Sequence, residues 1–175
     1  MENAISALSG FTAEELEQAL MALNDSSDAT NEIENMYLNF TIGEQIYGIE
    51  VRNVLQIIGM QPISTMPDME PDMKGYINLR GNIIPVISLR LHFGQMEEEY
   101  TDRTCIVVVK INEREIGLVV DSIQETITIT PEDISPPPGT GDHADNSYVR
   151  GIARLSSGRT AVLLQAQKLF AGSNY

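Results

Sequence analysis

The residues able to do chemistry in this chain are few and scattered. One cysteine, Cys105, and two histidines, His92 and His143, stand among 175 residues. Cys105 shares the parity of Val107 and Val109 and reads as a small inward-pointing hydrophobe. A nucleophile needs an adjacent base, and no local motif supplies one. Two histidines 51 residues apart and a single thiol make a poor zinc set. Glu97, Glu98, Glu99 and Asp102 gather negative charge without the spacing or turn glycine of a calcium loop, so they read as a solvated acidic face. Asp121 ends the run Val119-Val120-Asp121, where a carboxylate serves to cap the following turn. No glycine-rich phosphate cradle is present. A hydrolase built on Asp121 or His92 needs a paired base and nucleophile that the sequence does not display. The residues therefore imply no cofactor, no metal and no enzyme, and they turn attention to binding surfaces.

Charge narrows the partners. The chain carries 25 acidic and 11 basic residues, a formal net charge of −14. Phosphate backbones and anionic membranes both require clustered Lys and Arg, so neither is an expected partner. The acidity is uneven: residues 1–51 hold ten acidic residues and no basic one, and Arg52 is the first cation. One cysteine excludes an internal disulfide framework. No apolar run approaches the ~20 residues of a spanning helix, and no secretory signal is legible at the N-terminus. The expected location is the cytoplasm.

The elements that must position any site fall into two unequal parts. Residues 1–35 form an acidic extension. Within it Leu16, Ala19, Leu20 and Leu23 recur at helical spacing, with Thr12 and Glu15 placed as a capping box and Phe11 as a hydrophobic staple. These predict a short helix over residues 13–23 on a polar tether. Two readings stand for the segment: a disordered cap, or a Leu face that docks on this barrel, a neighbouring subunit or a separate partner.

From Met36 the period changes to two. Leu38, Phe40 and Ile42 alternate with polar residues, Gly43-Glu44-Gln45 turns the chain, and Tyr47, Ile49 and Val51 resume the alternation. A second hairpin surrounds Arg80-Gly81-Asn82, and Pro85 places its strand at an edge or a bulge. The pattern then recurs. At an offset of 69, Gly117 falls on Gly48, Val120 on Val51 and Ile123 on Val54. The run 149–170 repeats 73–93, with Gly151 on Gly75 and Phe170 on Phe93 after one inserted residue. Two similar halves, about 36–100 and 101–175, predict an all-β fold of two small five-stranded barrels, since closure removes exposed edges.

The runs LNFTIGEQIYGIEVRNVLQI (38–57), GYINLRGNIIPVISLRLHFG (75–94) and GLVVDSIQETITITPEDISPPP (117–138) resemble the CheW family of bacterial chemotaxis coupling proteins. The resemblance covers about residues 36–170. It implies two SH3-like five-stranded β-barrels side by side, acting as a non-enzymatic adaptor in the cytoplasm. Such an adaptor joins chemoreceptor cytoplasmic tips, which are helical hairpins, to the regulatory domain of the histidine kinase CheA, recruits to membrane-associated receptor arrays and supports their assembly. A similar adaptor in another chemosensory pathway, such as twitching motility, is the alternative.

The resemblance also implies a receptor-binding set: Val54, Gln56, Gly75, Arg80 and Gly81. Arg80 matches a family arginine whose partner is a glutamate, at the position held here by Gln56. An amide oxygen accepts a hydrogen bond but makes no charged bidentate pair, so Arg80 is left either as a solvated turn residue or with Glu50 or a partner carboxylate. Val54 reads equally as a barrel-core valine. Gly75 and Gly81 read first as backbone necessities. Met60, Met66, Met69 and Met73 either form an adaptable binding surface or fill gaps under a loop.

Overall fold

A computed structural model describes residues 33–137 and 147–173. The N-terminal helix expected over 13–23, and His143, lie outside the described residues. Among the described residues eleven strands carry the fold. The first repeat contributes β1 (Met36–Ile42), β2 (Gln45–Glu50), β3 (Val54–Gly59), β4 (Met73–Leu79) and β5 (Asn82–Ser88), followed by the one-turn helix α1 (Leu89–His92). The second contributes β6 (Cys105–Ile111), β7 (Arg114–Val120), β8 (Ser122–Thr128), the two-residue β9 (Ile134–Ser135), β10 (Val149–Arg154) and β11 (Thr160–Leu164), followed by α2 (Ala166–Leu169).

Two sheets form the two SH3-like barrels, and each draws strands from both repeats. One sheet runs β8-β1-β2-β11-β10-β9 and the other β3-β6-β7-β5-β4. The boundary near residue 100 therefore does not separate the barrels. The orders match strand for strand once β1 is set on β6, β2 on β7, β3 on β8, β4 on β10 and β5 on β11. Each repeat thus lends its first hairpin to the other repeat's barrel. The cause is chain direction. The chain leaves one barrel at Val51–Asn53 and returns at Asp121, so each hairpin is cut off from the strands that follow it. The parallel pairs β11·β2 and β5·β7 close each barrel where the repeats meet.

Strand parity builds three cores. Along β6, Cys105, Val107, Val109 and Ile111 face a core shared by the two sheets, while Ile106 and Val108 face the interior of their own barrel. Along β1, Leu38, Phe40 and Ile42 face the shared core and Tyr37 faces the other barrel's interior. The shared core is the largest of the three, and α2 contributes Ala166 and Leu169 to it. Two sheets each buried on both faces give near-continuous apolar runs, which is why β6 reads CIVVVKI rather than as a strict alternation. In one interior Asn39 stands, fully buried, where the other has Val108; neither amide atom of Asn39 has a hydrogen-bond partner among the described residues.

The turns are set by backbone demand. The β4–β5 and β6–β7 loops each hold two residues at positive φ: Arg80 (+51°) and Gly81 (+86°), then Asn112 (+48°) and Glu113 (+69°). That geometry matches the right-handed twist of a two-residue hairpin. Register shifts at Lys74 and at Arg150 mark equivalent bulges in the two repeats, and each bulge carries a cation to a carboxylate.

Candidate functional site

The receptor-binding set expected from the sequence is spread along the sheet of β3 and β4 rather than gathered in a cleft. β3 and β4 are the two outer strands of that sheet. Val54 begins β3 and is 2% exposed, packed in the shared core, so its side chain is part of the scaffold. Gln56 follows on β3, half-buried, opposite Val108. Arg80 is exposed at the tip of the β4–β5 turn and makes no hydrogen bond or ion pair among the described residues. Gln56 and Arg80 are therefore not joined. Gly81 donates its N–H to Asn78 Oδ1 at 3.0 Å, and the space around its Cα is open. Gly75 is buried, with φ +141° and the Ser64 carbonyl oxygen where a Cβ would stand. Its repeat equivalent Gly151 meets the Ser135 carbonyl in the same way. The backbone approaches too closely at both for a side chain, which for Gly75 is the reading put first from the sequence.

Glu50 is not available to Arg80. Its carboxylate, 4% exposed as a residue, accepts Arg52 Nε at 2.6 Å on Oε2 and Arg150 Nη1 on Oε1. Asn53 Nδ2 also approaches Oε2 at 3.4 Å, while Asn53 Oδ1 accepts Gln167 Nε2 at 3.2 Å. A carboxylate this buried requires cationic partners to offset lost hydration. This knot sits at the first crossing between barrels, directly before Val54. Sequence reasoning did not find it, because Arg150 lies 100 residues from Glu50. The one legible signal was Arg52, the first cation after a long acidic stretch.

The second crossing has its own knot. Asp121 does not cap the turn after its strand. Its Oδ2 accepts the N–H of Gly43 at 2.7 Å in the β1–β2 turn, and Arg90 of α1 binds both oxygens. Beside it, Glu97 accepts Lys74 Nζ at 2.6 Å and the Ser88 hydroxyl at 2.5 Å. Burial works to raise the Glu97 pKa, but the Lys74 and Ser88 hydrogen bonds carry it below the ordinary value. The acidic face of residues 97–102 is thus partly pinned to the barrel rather than wholly solvated.

The groups able to do chemistry have structural surroundings. Cys105 is fully buried, and burial pushes its thiol up to about 12. That leaves it a thiol, not a thiolate nucleophile. His92 Nδ1 lies 2.6 Å from Asp72 Oδ2 and Nε2 lies 2.9 Å from the Leu169 carbonyl oxygen. The ring ties α1 to α2 across the shared core and packs on Phe170. Among the described residues no three His, Cys, Asp or Glu side chains converge as metal ligands. The four methionines divide: Met60 packs against one barrel's interior, Met73 is buried in β4, Met66 is exposed, and the Met69 sulfur accepts the Met66 N–H at 3.4 Å. No helix among the described residues is long and apolar enough to cross a membrane.

Comparison with known proteins places these features in a context. A family model described as the CheW-like domain matches residues 36–173. The chain is 32% identical over 135 residues to the chemotaxis protein CheW of Klebsiella aerogenes, covering 77% of this chain and 81% of that one. It is 27% identical over 137 residues to the protein FrzA of Myxococcus xanthus, covering 78% and 85%. The crystal structure of the scaffolding protein TtCheW from Thermoanaerobacter tengcongensis superposes with a TM-score of 0.72 at 30% identity, covering 81% of this chain and 94% of that one.

Proposed function

The chain belongs to the CheW-like family, and from that premise we propose that it is a chemotaxis scaffold coupling chemoreceptor cytoplasmic tips to a CheA-type histidine kinase. It acts by binding, not by turnover. The observation that carries this reading is the fusion of two exchanged barrels on one shared core. Two faces on one rigid body hold two partners at a fixed separation, which converts the second binding event into an intramolecular one. A receptor tip, being helical, docks through apolar anchors spaced along one face. The receptor-facing set is Gln56 and Arg80 at the surface, with Val54, Gly75 and Gly81 holding the strands and turn that present them. The scaffold works in the cytoplasm at membrane-associated receptor arrays.

Reconstitution tests the reading. The protein should co-sediment with receptor and kinase, raise kinase output and show no turnover alone. Arg80→Glu should weaken receptor binding and leave kinase binding intact. Gln56→Glu should leave the fold intact and change receptor coupling first. Failure to bind either component would end the assignment. The similarity to FrzA supports a second reading, the same adaptor chemistry serving a different chemosensory pathway; binding to a kinase outside the flagellar system would select it.

A further inference from the structure

In the other Lys and Arg ion pairs among the described residues, each cation is matched or outnumbered by the carboxylates it touches. Arg90 meets Asp121 and Glu98, Lys74 meets Glu97, and Lys110 meets Glu113. At the first crossing the balance reverses: Arg52 and Arg150 share the single carboxylate of Glu50. The Glu50 side chain is 6% exposed, while those of Arg52 and Arg150 are 49% and 34% exposed. Glu50 therefore lies beneath, and two guanidiniums reach solvent above it.

Arg52 uses only Nε in this contact and Arg150 only Nη1. A guanidinium has five N–H donors in a fixed planar fork. The remaining donors of both have no partner among the described residues. The buried carboxylate holds the two forks close together, so like charges that would otherwise spread apart are preorganised. The site carries one net positive charge on a chain of net charge −14. Attraction of an anion there is local, not a product of the overall field, which is repulsive. Arg52 also immediately precedes Asn53 and Val54, where the chain enters β3.

We propose that Arg52 and Arg150 form a carboxylate-reading notch beside β3, which takes an acidic side chain of the protein partner docking on that strand. This rests on the coupling function proposed above for the partner's identity, but not for the existence of the notch. The N–H donors that Arg52 and Arg150 leave unused give the partner's acidic residue two points of attachment without displacing Glu50. The notch thereby selects among partners that share the same apolar anchors.

Two measurements on the full chain test it. In the first, the Nε–H signals of the arginines are followed by NMR while sodium acetate replaces chloride at constant ionic strength. Arg52 and Arg150 should shift together and saturably, and exposed Arg103 should not; a uniform response of all arginines overturns the notch. In the second, Arg52→Gln and Arg150→Gln should each weaken binding of a receptor-tip fragment about fivefold and flatten its salt dependence, with kinase affinity unchanged. Arg52→Lys should recover part of the loss. Unaltered receptor affinity in both Gln variants overturns the partner assignment. So does stronger acetate binding after removal of residues 1–32, because the notch would then belong to the chain's own acidic segment. If the wild-type chain fails to bind the receptor fragment at all, the coupling function fails, while the acetate titration still decides the notch.

Discussion

The Arg90 guanidinium binds both carboxylate oxygens of Asp121, with Nε 2.9 Å from Oδ1 and Nη2 2.5 Å from Oδ2. Arg90 belongs to α1, behind β5, and Asp121 is the residue at which the chain passes from one barrel to the other. The same carboxylate accepts the Gly43 N–H from the hairpin of the other barrel. One side chain thus ties together three segments that are distant in sequence. Asp121→Asn keeps an oxygen for Gly43 but sets an NH2 group against Arg90 and removes the charge. The pair is partly buried, at 12% and 29% side-chain exposure, so its loss falls between the surface and buried limits. The expected cost is about 1–3 kcal/mol in urea unfolding. A variant as stable as wild type would show that the hairpin tip needs no such tie.

That knot also marks the limit of what the sequence discloses. The period-two alternation located every hairpin, because alternation is a local property of a half-buried strand. The repeat was legible for the same reason: Gly48 with Gly117, and Gly75 with Gly151, each recur where a strand packs too closely for a Cβ. The exchange of hairpins between barrels was not legible. Both β1 and β6 are buried on two faces, and nothing local states which edge each one joins. Nor could the sequence pair Glu50 with Arg150, or His92 with Leu169, since these contacts exist only once the strands have crossed. For the proposed receptor-facing set, the loss of a charged Gln56–Arg80 pair followed from residue type, while the placement of the two at opposite outer strands of one sheet did not.

The glycines separate structural need from surface contact. Gly75→Ala and Gly151→Ala place a methyl group against the carbonyl oxygens of Ser64 and Ser135, which are backbone atoms. Each should lose about 2–4 kcal/mol, since neither neighbour can rotate away. Gly81→Ala meets nothing within 4 Å and pays only for its left-handed φ of +86°, about 1 kcal/mol. Thermal unfolding of the three variants gives the order directly. A Gly81→Ala variant less stable than Gly75→Ala would refute this account of the close approaches.

Acid should weaken the tie between Glu97 and Lys74. Despite burial, the Lys74 ammonium and Ser88 hydroxyl hold the Glu97 carboxyl below its ordinary 4.5. A lowered folded-state pKa gives a contribution that is present above pH 4.5 and lost as pH falls through the folded value. On the other side, the hydrogen bond to Glu97 raises Lys74 above 10.5, so its contribution is present below pH 10.5 and lost as pH climbs beyond it. The pair is about 30% exposed on each side, which caps it near 1 kcal/mol. The difference in Tm between wild type and Glu97→Gln should be flat from pH 6 to 9 and shrink below pH 4.5. A difference that grows in acid would contradict the pairing.

The exchange of hairpins makes the sharpest prediction about folding. Cutting the chain at residue 100 leaves β1 and β2 without β8 and β11, and leaves β3 and β5 without β6 and β7. All four missing pairings are backbone ladders, so each fragment exposes strand edges as well as its share of the shared core. Residues 36–100 alone, and residues 101–175 alone, should give collapsed NMR amide dispersion and no cooperative melt. Mixed in equal amounts, they should restore the dispersion of the intact chain, because each carries the strands the other lacks. If each repeat instead closed its own barrel, each fragment would fold cooperatively as a monomer and mixing would change neither spectrum.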